Sequence, residues 1–435
     1  MISGETMNIY GWDTVTALSV GAVNRALAAN SKQLIQEFKV SGSTFGNSYQ
    51  LQGEFGAWQV VPGGSGNLLR LAVPIVAGSI QPGAGAAVDL AGSTAVVEIS
   101  LDLLPTADGR SQHLVFALHQ AAQTGATPQP GVVTPITLTA PAPATAALGP
   151  LGVSLVLDGV AAAMAADAAA VSYVLAAVNL VPPASNSWLT PVESSYVYEE
   201  VSGGGAYLAV LSTVSSRDIS QLARTVDPEL FAGGGDAAFA ISEDLFLEQL
   251  IRPALPQVFG GSANAGCFGY DPVKHVITAA HQFGIAEVKE GAIWYTPNVT
   301  TLSLGVVGGS LAMAVNGNCD LKAGISMDFW VTSQYPMQYQ AATAKISFGG
   351  DPHANSGHSA SIPWWFWAGG LLVEAITQIV VSVITDSLAS DLSSRIGSVG
   401  LAALAGQPVT WQGMSQFEVT GARLDGSLMI SGNAG

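Results

Sequence analysis

The chain has 435 residues, of which 49% are apolar and only 10% are charged. This composition excludes a chain that is disordered through charge repulsion and favours an ordered fold rich in strands. Fourteen basic residues against 31 acidic ones give a net charge of -17, which repels nucleic-acid phosphates and anionic lipid headgroups. We therefore expect no nucleic-acid partner.

The cysteines and the N-terminal residues bear on the cellular compartment. Cys267 and Cys319 are too few for a disulfide framework and too far apart for a paired metal knuckle, so one bridge is allowed but not required. The first ten residues, MISGETMNIY, show neither the basic nor the apolar region of a secretory signal. We expect synthesis in the cytoplasm, with any release by a route other than Sec.

The first helix is predicted to begin after Ser19, whose hydroxyl is a good N-cap, and to end near Gln36. Val20, Val23 and Leu27 fall on one apolar stripe of this helix. The periodicity then changes to two in NLLRLAVPI and VVEISLDLL, which predicts half-buried antiparallel strands.

The middle of the chain is predicted to contain a boundary. Residues 121–150 are rich in Ala, Pro and Thr and are predicted to be a loop or an irregular edge crossing. A short helix is expected at about 155–167 and a strand near 171–181. PPASNS, residues 182–187, is the best boundary between modules.

The second half repeats this order of elements. The strands SYVYEEV and AYLAVLSTV precede a helix that begins at Ser242 and that Pro253 and Pro256 kink or end. Alternating segments at about 270–350 then predict a meander. A last long helix and closing strands follow. We therefore divide the chain into residues 1–182 and residues 183–435, each with a helix, a run of strands, a second helix and closing strands.

The last helix is predicted to start after Pro363 and to run to about Ile396. A single polar stripe interrupts its aliphatic surface, at Glu374, Gln378, Ser382 and Asp386. A bilayer would satisfy the aliphatic surface, but a glutamate at the midplane is costly there. Packing inside a strongly curved sheet, with the polar stripe facing water, is the favoured interpretation.

No sequence motif indicates an enzyme. No glycine precedes a lysine as a phosphate-binding loop requires, no histidine is followed by glutamate as in zinc proteases, and GHSAS lacks the final glycine of a nucleophile elbow. PGGSGN, residues 62–67, lies between two strands and is interpreted as a hairpin turn. We predict no catalytic residue and no cofactor.

Some residues could form a metal site or an aromatic binding site, but each group has a simpler structural interpretation. Asp351, His353 and His358 carry ligands suited to a divalent metal, but a solvated loop is the favoured interpretation, and we predict no metal site. His275 and His281 lack a third ligand in their motif and are interpreted as ordinary histidines. The aromatic run at residues 364–367 suits packing at the start of a helix better than a membrane belt or a sugar platform.

Several stretches, in order along the chain, carry a family resemblance. They are YGWDTVTALSVGAVNRAL, EFGAWQVVPGGSGNLLRLAVPI, AAFAISEDLFLEQLIRPAL, PWWFWAGGLL and VTWQGMSQFEVTGARLDGSLMISG. Together they resemble the OrfX-type and forty-seven-kilodalton accessory proteins encoded beside botulinum neurotoxin genes. That resemblance implies a tubular lipid-binding (TULIP) fold, an elongated α+β architecture in which long helices are cradled by highly curved antiparallel sheets.

The resemblance also implies where a ligand would lie. An apolar groove is expected between helix and sheet, and its lining residues would be Val20, Val23, Leu27, Leu371, Ile376, Ile379, Val380 and Ile384. Four aromatic residues are expected at the starts of the cradled helices, namely Tyr10, Trp12, Trp364 and Trp365. Trp12 would act as an apolar plug there, with Asp13 near the helix start.

The expected function is to bind a lipid or another elongated apolar ligand, without catalysis, as part of a bacterial toxin or insecticidal system. The alternative is a protein-interaction component of a secreted toxin complex, in which the groove is collapsed and binds nothing. Membrane contact, if it occurs, is expected to be transient. Catalytic groups that meet only in space would favour an enzyme instead.

Overall fold

The computed structural model describes residues 6–44, 46–181, 184–201, 205–321, 324–351, 353–362, 369–397 and 400–435. Antiparallel strands predominate in these ranges, and the two longest helices each follow a run of strands. The fold is therefore α+β, as the sequence predicts.

The elements up to residue 179 are β1 (Thr14–Ser19), α1 (Val20–Ala29), β2 (Glu37–Thr44), β3 (Asn47–Phe55), β4 (Gln59–Ser65), β5 (Leu68–Pro82), β6 (Val88–Asp89), β7 (Ser93–Pro105), β8 (Ser111–Ala117), β9 (Gln120–Ala121), β10 (Val132–Thr139), α2 (Ala142–Ala166) and β11 (Ala176–Asn179). The elements from residue 193 to residue 259 are β12 (Glu193–Val201), β13 (Gly205–Thr213), β14 (Ala237–Ile241), α3 (Glu243–Leu245) and α4 (Leu255–Phe259).

The elements of the meander are β15 (Phe268–Asp271), β16 (Val276–Ala279), β17 (Phe283–Gly284), β18 (Val288–Glu290), β19 (Ile293–Tyr295), β20 (Asn298–Val307), β21 (Ser310–Asp320), β22 (Ser326–Gln340), β23 (Lys345–Phe348) and β24 (Asn355–Ser361). The last elements are α5 (Gly369–Gly397), α6 (Leu401–Gly406), β25 (Val409–Trp411), β26 (Phe417–Asp425) and β27 (Ser427–Ala434).

Three larger sheets organise these strands. The N-terminal sheet has the order β2-β3-β5-β7-β8-β11-β25, with β4, β6, β9 and β10 beside it. The central sheet has the order β12-β13-β1-β14-β27-β26. The C-terminal sheet has the order β15-β16-β20-β21-β22-β23, with β17 paired to β20 and β24 paired to β22. The central sheet thus takes strands from both predicted halves, and the proposed boundary at residues 182–187, of which 182 and 183 lie outside the described ranges, stays a prediction.

The central sheet is buried on both faces. One face contributes Leu18, Val210 and Phe239 to the main hydrophobic core. The opposite face, with Val15 and Leu211, packs under the segment that contains Trp12 and forms a second, smaller core. Inward and outward residues alternate along each strand, so one strand supplies both cores.

The aromatic cluster near the N-terminus precedes a strand, which corrects the predicted position of Tyr10 and Trp12 at the start of a helix. Strand β1 lies between this cluster and α1. The Ser19 hydroxyl accepts a hydrogen bond from the backbone N–H of Ala22 at 3.2 Å, so the predicted cap is confirmed. The helix ends at Ala29, not near Gln36, and a 3₁₀ turn follows.

Helix α2 is longer than predicted and occupies part of the expected loop. The predicted loop at 121–150 contains β10 and the first turns of α2, because prolines there fall where a helix tolerates them. Gly149 has φ 59° and ψ -177°, a conformation nearly restricted to glycine, and Pro150 restarts the helix after this kink.

Helix α5 buries one side and exposes its polar stripe. Val373, Ile376 and Val380 have 0% of their surface exposed, whereas every fourth residue from Gly370 to Ser394 is exposed. The helix packs against α4, β18, β22, β23 and β24. The predicted polar stripe is therefore confirmed.

Within the described ranges, two helices are long and apolar enough to cross a bilayer, judged by length and composition. They are Ala142–Ala166, with 61% of its most apolar window buried, and Gly370–Arg395, with 33% buried. The first packs as a core helix. The second exposes polar side chains along its open side, where a membrane span would place apolar ones.

Candidate functional site

Most of the predicted groove residues lie in the hydrophobic core and line no open channel. Five of them have 3% or less of their surface exposed, namely Val23, Leu27, Ile376, Val380 and Ile384. A side chain without accessible surface adjoins no void that could hold even a water molecule, much less an acyl chain. The space between these helices and their sheets is therefore filled by side chains at these positions.

The other three predicted groove residues differ in their surroundings. Val20 and Ile379 are half-buried against the same core. Leu371 is 77% exposed, so it lines no groove between helix and sheet, which corrects its predicted role. It lies in the first turn of α5.

Trp12 is a core residue that fixes the N-terminal segment to the central sheet. Its side chain is 1% exposed, and its Nε1–H donates a hydrogen bond to the Ala223 carbonyl oxygen at 2.8 Å. Tyr10 is half-buried and has φ 53°. Trp364 and Trp365, the other two predicted aromatics, lie outside the described residues.

A cluster of ionisable residues lines a cleft of about 320 Å³ beside the start of α3. Asp244 Oδ1 is 2.6 Å from His275 Nδ1, and it also accepts a hydrogen bond from the Tyr270 hydroxyl. Asp13 lies across the cleft and pairs with Arg217, with 2.8 Å between Oδ1 and the guanidinium. Sequence analysis interpreted His275 as an ordinary histidine and did not connect these residues, which lie far apart in the chain.

Proton affinities are shifted in this cluster. Burial raises the pKa of Glu243. The hydrogen bond to Asp244 raises the pKa of His275, which is also close to Glu243 and Asp271. Burial, followed by the hydrogen bond to Asp244, raises the pKa of Tyr270. Both hydrogen bonds of Asp244 join the start of a helix to the β15–β16 hairpin, so they give the cluster a structural role.

No metal site is found in the part of the chain that the structure describes: no three His, Cys, Asp or Glu side chains there are arranged to hold an ion. Of the three residues weighed as ligands, Asp351 accepts hydrogen bonds from the backbone N–H groups of Gln334 and His353. His358 lies in strand β24 and faces Glu374 instead, with 3.8 Å between Nδ1 and Oε2.

A second cleft, of about 570 Å³, runs between α5 and the edge of the C-terminal sheet. The predicted polar stripe of α5 forms one wall, with Glu374, Gln378, Ser382 and Asp386. Trp330, on β22, and residues 356–358 of β24 form the other wall. We call this space the α5–β24 cleft.

Glycine at position 357 shapes the sheet wall of the α5–β24 cleft. A Cβ atom placed on Gly357 would lie 2.1 Å from the Trp330 ring, so the indole lies across the bare backbone of β24. Trp330 is 41% exposed. The outward position of Trp330 could have been predicted from the sequence, because side chains alternate inward and outward along the strand SMDFWVTS and Phe329 points inward.

Comparison with known proteins places this geometry in a family. The family model described as OrfX-like, "Protein OrfX2/OrfX3/P47", matches residues 9–422. Protein P47 of Clostridium botulinum (strain Kyoto / Type A2) is 23% identical over 441 residues, which cover 98% of this chain and 100% of that protein.

Solved structures agree with this assignment. P47 from Clostridium botulinum A2 superposes with a TM-score of 0.81 at 23% identity, covering 99% of both chains. P47 of Clostridium botulinum E1 gives a TM-score of 0.80 at 21% identity, covering 98% of this chain and 100% of the other. The fold is thus shared, and the resemblance to the OrfX-type accessory proteins is confirmed. The chain belongs to the OrfX-like family, whose model covers OrfX2, OrfX3 and P47.

Proposed function

We propose that this protein is a non-enzymatic interaction component of a toxin-associated assembly, which acts through its surface while its apolar interior stays closed. One observation carries the proposal: five of the eight residues expected to line an apolar groove have 3% or less of their surface exposed. Membership in the OrfX-like family supplies the toxin-associated context. The net charge of -17 suits docking on basic partners, because complementary charge steers association.

The expected lipid-binding function requires space that these residues do not leave. A ligand held by aliphatic contact gains roughly 25 cal/mol per Å² of apolar surface buried, so it needs an open apolar wall. The α5–β24 cleft instead exposes carboxylate, amide and hydroxyl groups. We therefore favour the collapsed groove of the alternative hypothesis over an occupied one.

The ionisable cluster beside α3 does not change the proposal of a non-enzymatic role. Catalysis would need a nucleophile or an acid and a base positioned around a substrate. Here the Ser242 hydroxyl accepts the helix-capping hydrogen bond from the Leu245 N–H at 3.2 Å. Asp244 Oδ1 likewise accepts a hydrogen bond from the Tyr270 hydroxyl and lies within hydrogen-bond distance of His275 Nδ1.

We further propose that the architecture is a TULIP-type fold in which α2 and α5 are the two long helices cradled by sheets. The contacts of α2 with β2, β9 and β10, and those of α5 with β22, β23 and β24, support this proposal. In this proposal the protein is made in the cytoplasm, leaves by a route other than Sec, and touches membranes only transiently.

Co-expression with the products of neighbouring genes tests the proposed function. We expect an affinity-tagged chain to retain one or more of these proteins through size-exclusion chromatography, and organic extracts of the complex to contain no stoichiometric lipid by mass spectrometry. A chain that elutes alone and carries a stoichiometric acyl lipid would contradict the proposal and favour the lipid-binding hypothesis.

A further inference from the structure

We propose that the α5–β24 cleft binds an extended, basic segment of a partner protein, which adds as a strand to the free edge of β24. This inference rests on the proposed interaction function and names the surface and the chemistry of the partner. It is carried by the cleft between α5 and the sheet, by the edge of β24 that pairs with no strand in the described ranges, and by the acidic side chains that face it.

Helix α5 packs on the C-terminal sheet in both of its halves, and in the N-terminal half the Thr377 hydroxyl lies 3.8 Å from Met327 Sδ on β22. Near the C-terminus of α5, the Ser393 hydroxyl accepts a hydrogen bond from the Phe348 N–H of β23 at 2.7 Å and donates to the Ala389 carbonyl one turn back in the helix. Across the cleft, His358 Nδ1 lies 3.8 Å from Glu374 Oε2. The cleft lies beside this packed side, between the exposed polar stripe of α5 and residues 356–358 of β24.

Strand β24 has one partner strand among the described residues. Its seven residues pair with β22, from Asn355 opposite Thr332 to Ser361 opposite Ser326. The opposite edge therefore presents a row of backbone N–H and C=O groups that an incoming strand could pair with. Many natural edges are protected by lysine or proline, and the sequence of β24, NSGHSAS, contains neither.

The helix wall of the cleft presents mainly hydrogen-bond acceptors. The Gln378 amide donates to Glu374 Oε1 at 3.0 Å, and the Ser382 hydroxyl donates to Asp386 Oδ2 at 2.7 Å. The Thr377 and Thr385 hydroxyls donate to carbonyl oxygens one turn back in the helix. These donors are thus satisfied within α5, and the carboxylates remain to accept from lysine or arginine side chains of a partner.

The dimensions of the cleft suit a short extended segment. Glu374 and Asp386 lie twelve residues apart on α5, about 18 Å at 1.5 Å per residue. A strand covers that distance in about five residues. Alternate residues of such a strand would point to the same side, so basic residues at every second position would face the acidic stripe.

A synthetic peptide of alternating lysine and threonine, blocked at both ends and labelled with fluorescein, tests this proposal by fluorescence anisotropy. We expect saturable binding to the full chain that weakens about tenfold in the double variant Glu374→Lys, Asp386→Lys. The matched control is Glu37→Lys, Glu54→Lys, which reverses two exposed carboxylates in a different cleft and should change affinity less than about threefold.

Two further peptides distinguish strand addition from attraction by charge alone. A peptide of the same charge with alternate threonines replaced by proline lacks the N–H groups that a ladder needs, and it should bind at least about tenfold more weakly. A glutamate–threonine peptide should not bind. Hydrogen exchange should show slower exchange of the β24 amides with the lysine–threonine peptide present. Equal binding of the proline peptide, or unchanged exchange in β24, would overturn the proposal.

The inference and the proposed function fail in different ways. If the co-expressed complex survives in the Glu374→Lys, Asp386→Lys variant and the peptide does not bind, this site is wrong while the interaction function stands. If the peptide binds as expected and the neighbouring gene products are not retained, the site stands and the toxin-associated function is wrong. Circular dichroism of the double variant, matching the unmodified chain, verifies that it is folded.

Discussion

At the scale of single residues, Asp13 joins segments that lie more than 200 positions apart in the chain. One of its oxygens accepts a hydrogen bond from the Val214 N–H, and the other pairs with Arg217, each at 2.8 Å. Its backbone carbonyl accepts from the Ser242 N–H at 2.9 Å. Asp13 therefore holds the start of β1, the end of β13 and the start of α3 in one place.

Replacing Asp13 by alanine should lower the free energy of unfolding by about 1–3 kcal/mol, because it leaves a partly buried N–H and a guanidinium without their partner. Asp13 is 9% exposed, so water does not readily replace the lost carboxylate. Urea unfolding followed by fluorescence measures the change. Asp328→Ala, at an exposed position, is the control and should shift stability by less than about 0.5 kcal/mol. Equal effects of the two substitutions would contradict the role assigned to Asp13.

His275 makes stability depend on pH. Its pKa is raised above the ordinary value of 6.5 through the hydrogen bond to Asp244, so the folded chain holds this proton more tightly than the unfolded one. The resulting stability is fully present below pH 6.5 and is lost as the pH rises through the raised pKa. Glu243, whose pKa burial also raises, acts with the same sign at lower pH.

We therefore expect the free energy of unfolding of the unmodified chain to fall from pH 6 to pH 8, and to fall less in His275→Gln. Urea unfolding at both pH values measures this difference. His281→Gln serves as the control, since the His281 ring meets the Gln282 carbonyl and not a carboxylate, and it should keep the slope of the unmodified chain. A His275→Gln slope equal to that of the unmodified chain would refute this assignment.

Some contacts between residues could be predicted from the sequence, and others could not. The helix start at Ser242 was predicted from local rules, because serine is a favoured N-cap, and Glu243 and Asp244 follow in its first turn. Their partners Tyr270 and His275 come from a hairpin 26 and 31 residues further on. Such pairs depend on how elements pack, and no local pattern in the sequence indicates them.

At the scale of elements, α5 shows why helix periodicity was informative. Its polar residues recur every four positions, and those positions are the exposed ones, because the repeat of an α-helix fixes which side chains share a face. Strand β24 was not predicted, since NSGHSAS shows no apolar alternation. It pairs with β22 through backbone groups, which every one of its residues provides.

Truncation of α5 separates buried positions from exposed ones. Ile376→Ala should cost about 2–5 kcal/mol, because the side chain has 0% exposure and its loss leaves a cavity. Leu371→Ala, in the same helix at 77% exposure, should change stability by less than about 0.5 kcal/mol. Thermal and urea unfolding of both variants measure the contrast. A large loss at Leu371 with none at Ile376 would show that the helix is turned the other way.

The kink in α2 gives a second matched pair. Gly149→Ala should destabilise the chain by about 1–3 kcal/mol, because φ 59° with ψ -177° is strained for any residue with a Cβ. No atom within 4 Å of that Cβ adds a clash, so the cost is conformational. Gly370→Ala, in the first turn of α5 and equally open, should instead stabilise by about 0.5 kcal/mol. Opposite signs in urea unfolding are the expected result, and equal signs would contradict it.

At the scale of the whole molecule, the two ends of the chain meet in the central sheet. Strand β1 is separated from β27 there only by β14, and β25 completes the edge of the N-terminal sheet by pairing with β11. The sequence predicted several of the strands, among them β5, β7, β12 and β13, and their order along the chain. It did not predict which strands pair, because strand edges present the same backbone groups whatever their side chains.

Whether the apolar stripes line a cavity or fill the core likewise depends on how the whole molecule packs. The apolar residues that the family resemblance suggested as a groove were correctly identified as apolar stripes, but a stripe is equally suited to line a cavity or to fill a core. The packing of α1 and α5 against their sheets decides between the two, and five of the eight residues are buried completely or nearly so.

Native mass spectrometry of the chain purified with the products of its neighbouring genes tests the central claim most directly. The account predicts the mass of the 44.3 kDa chain plus that of partner polypeptides, with no lipid-sized increment on any species. A chain that carries one lipid mass per molecule and no partner would contradict it.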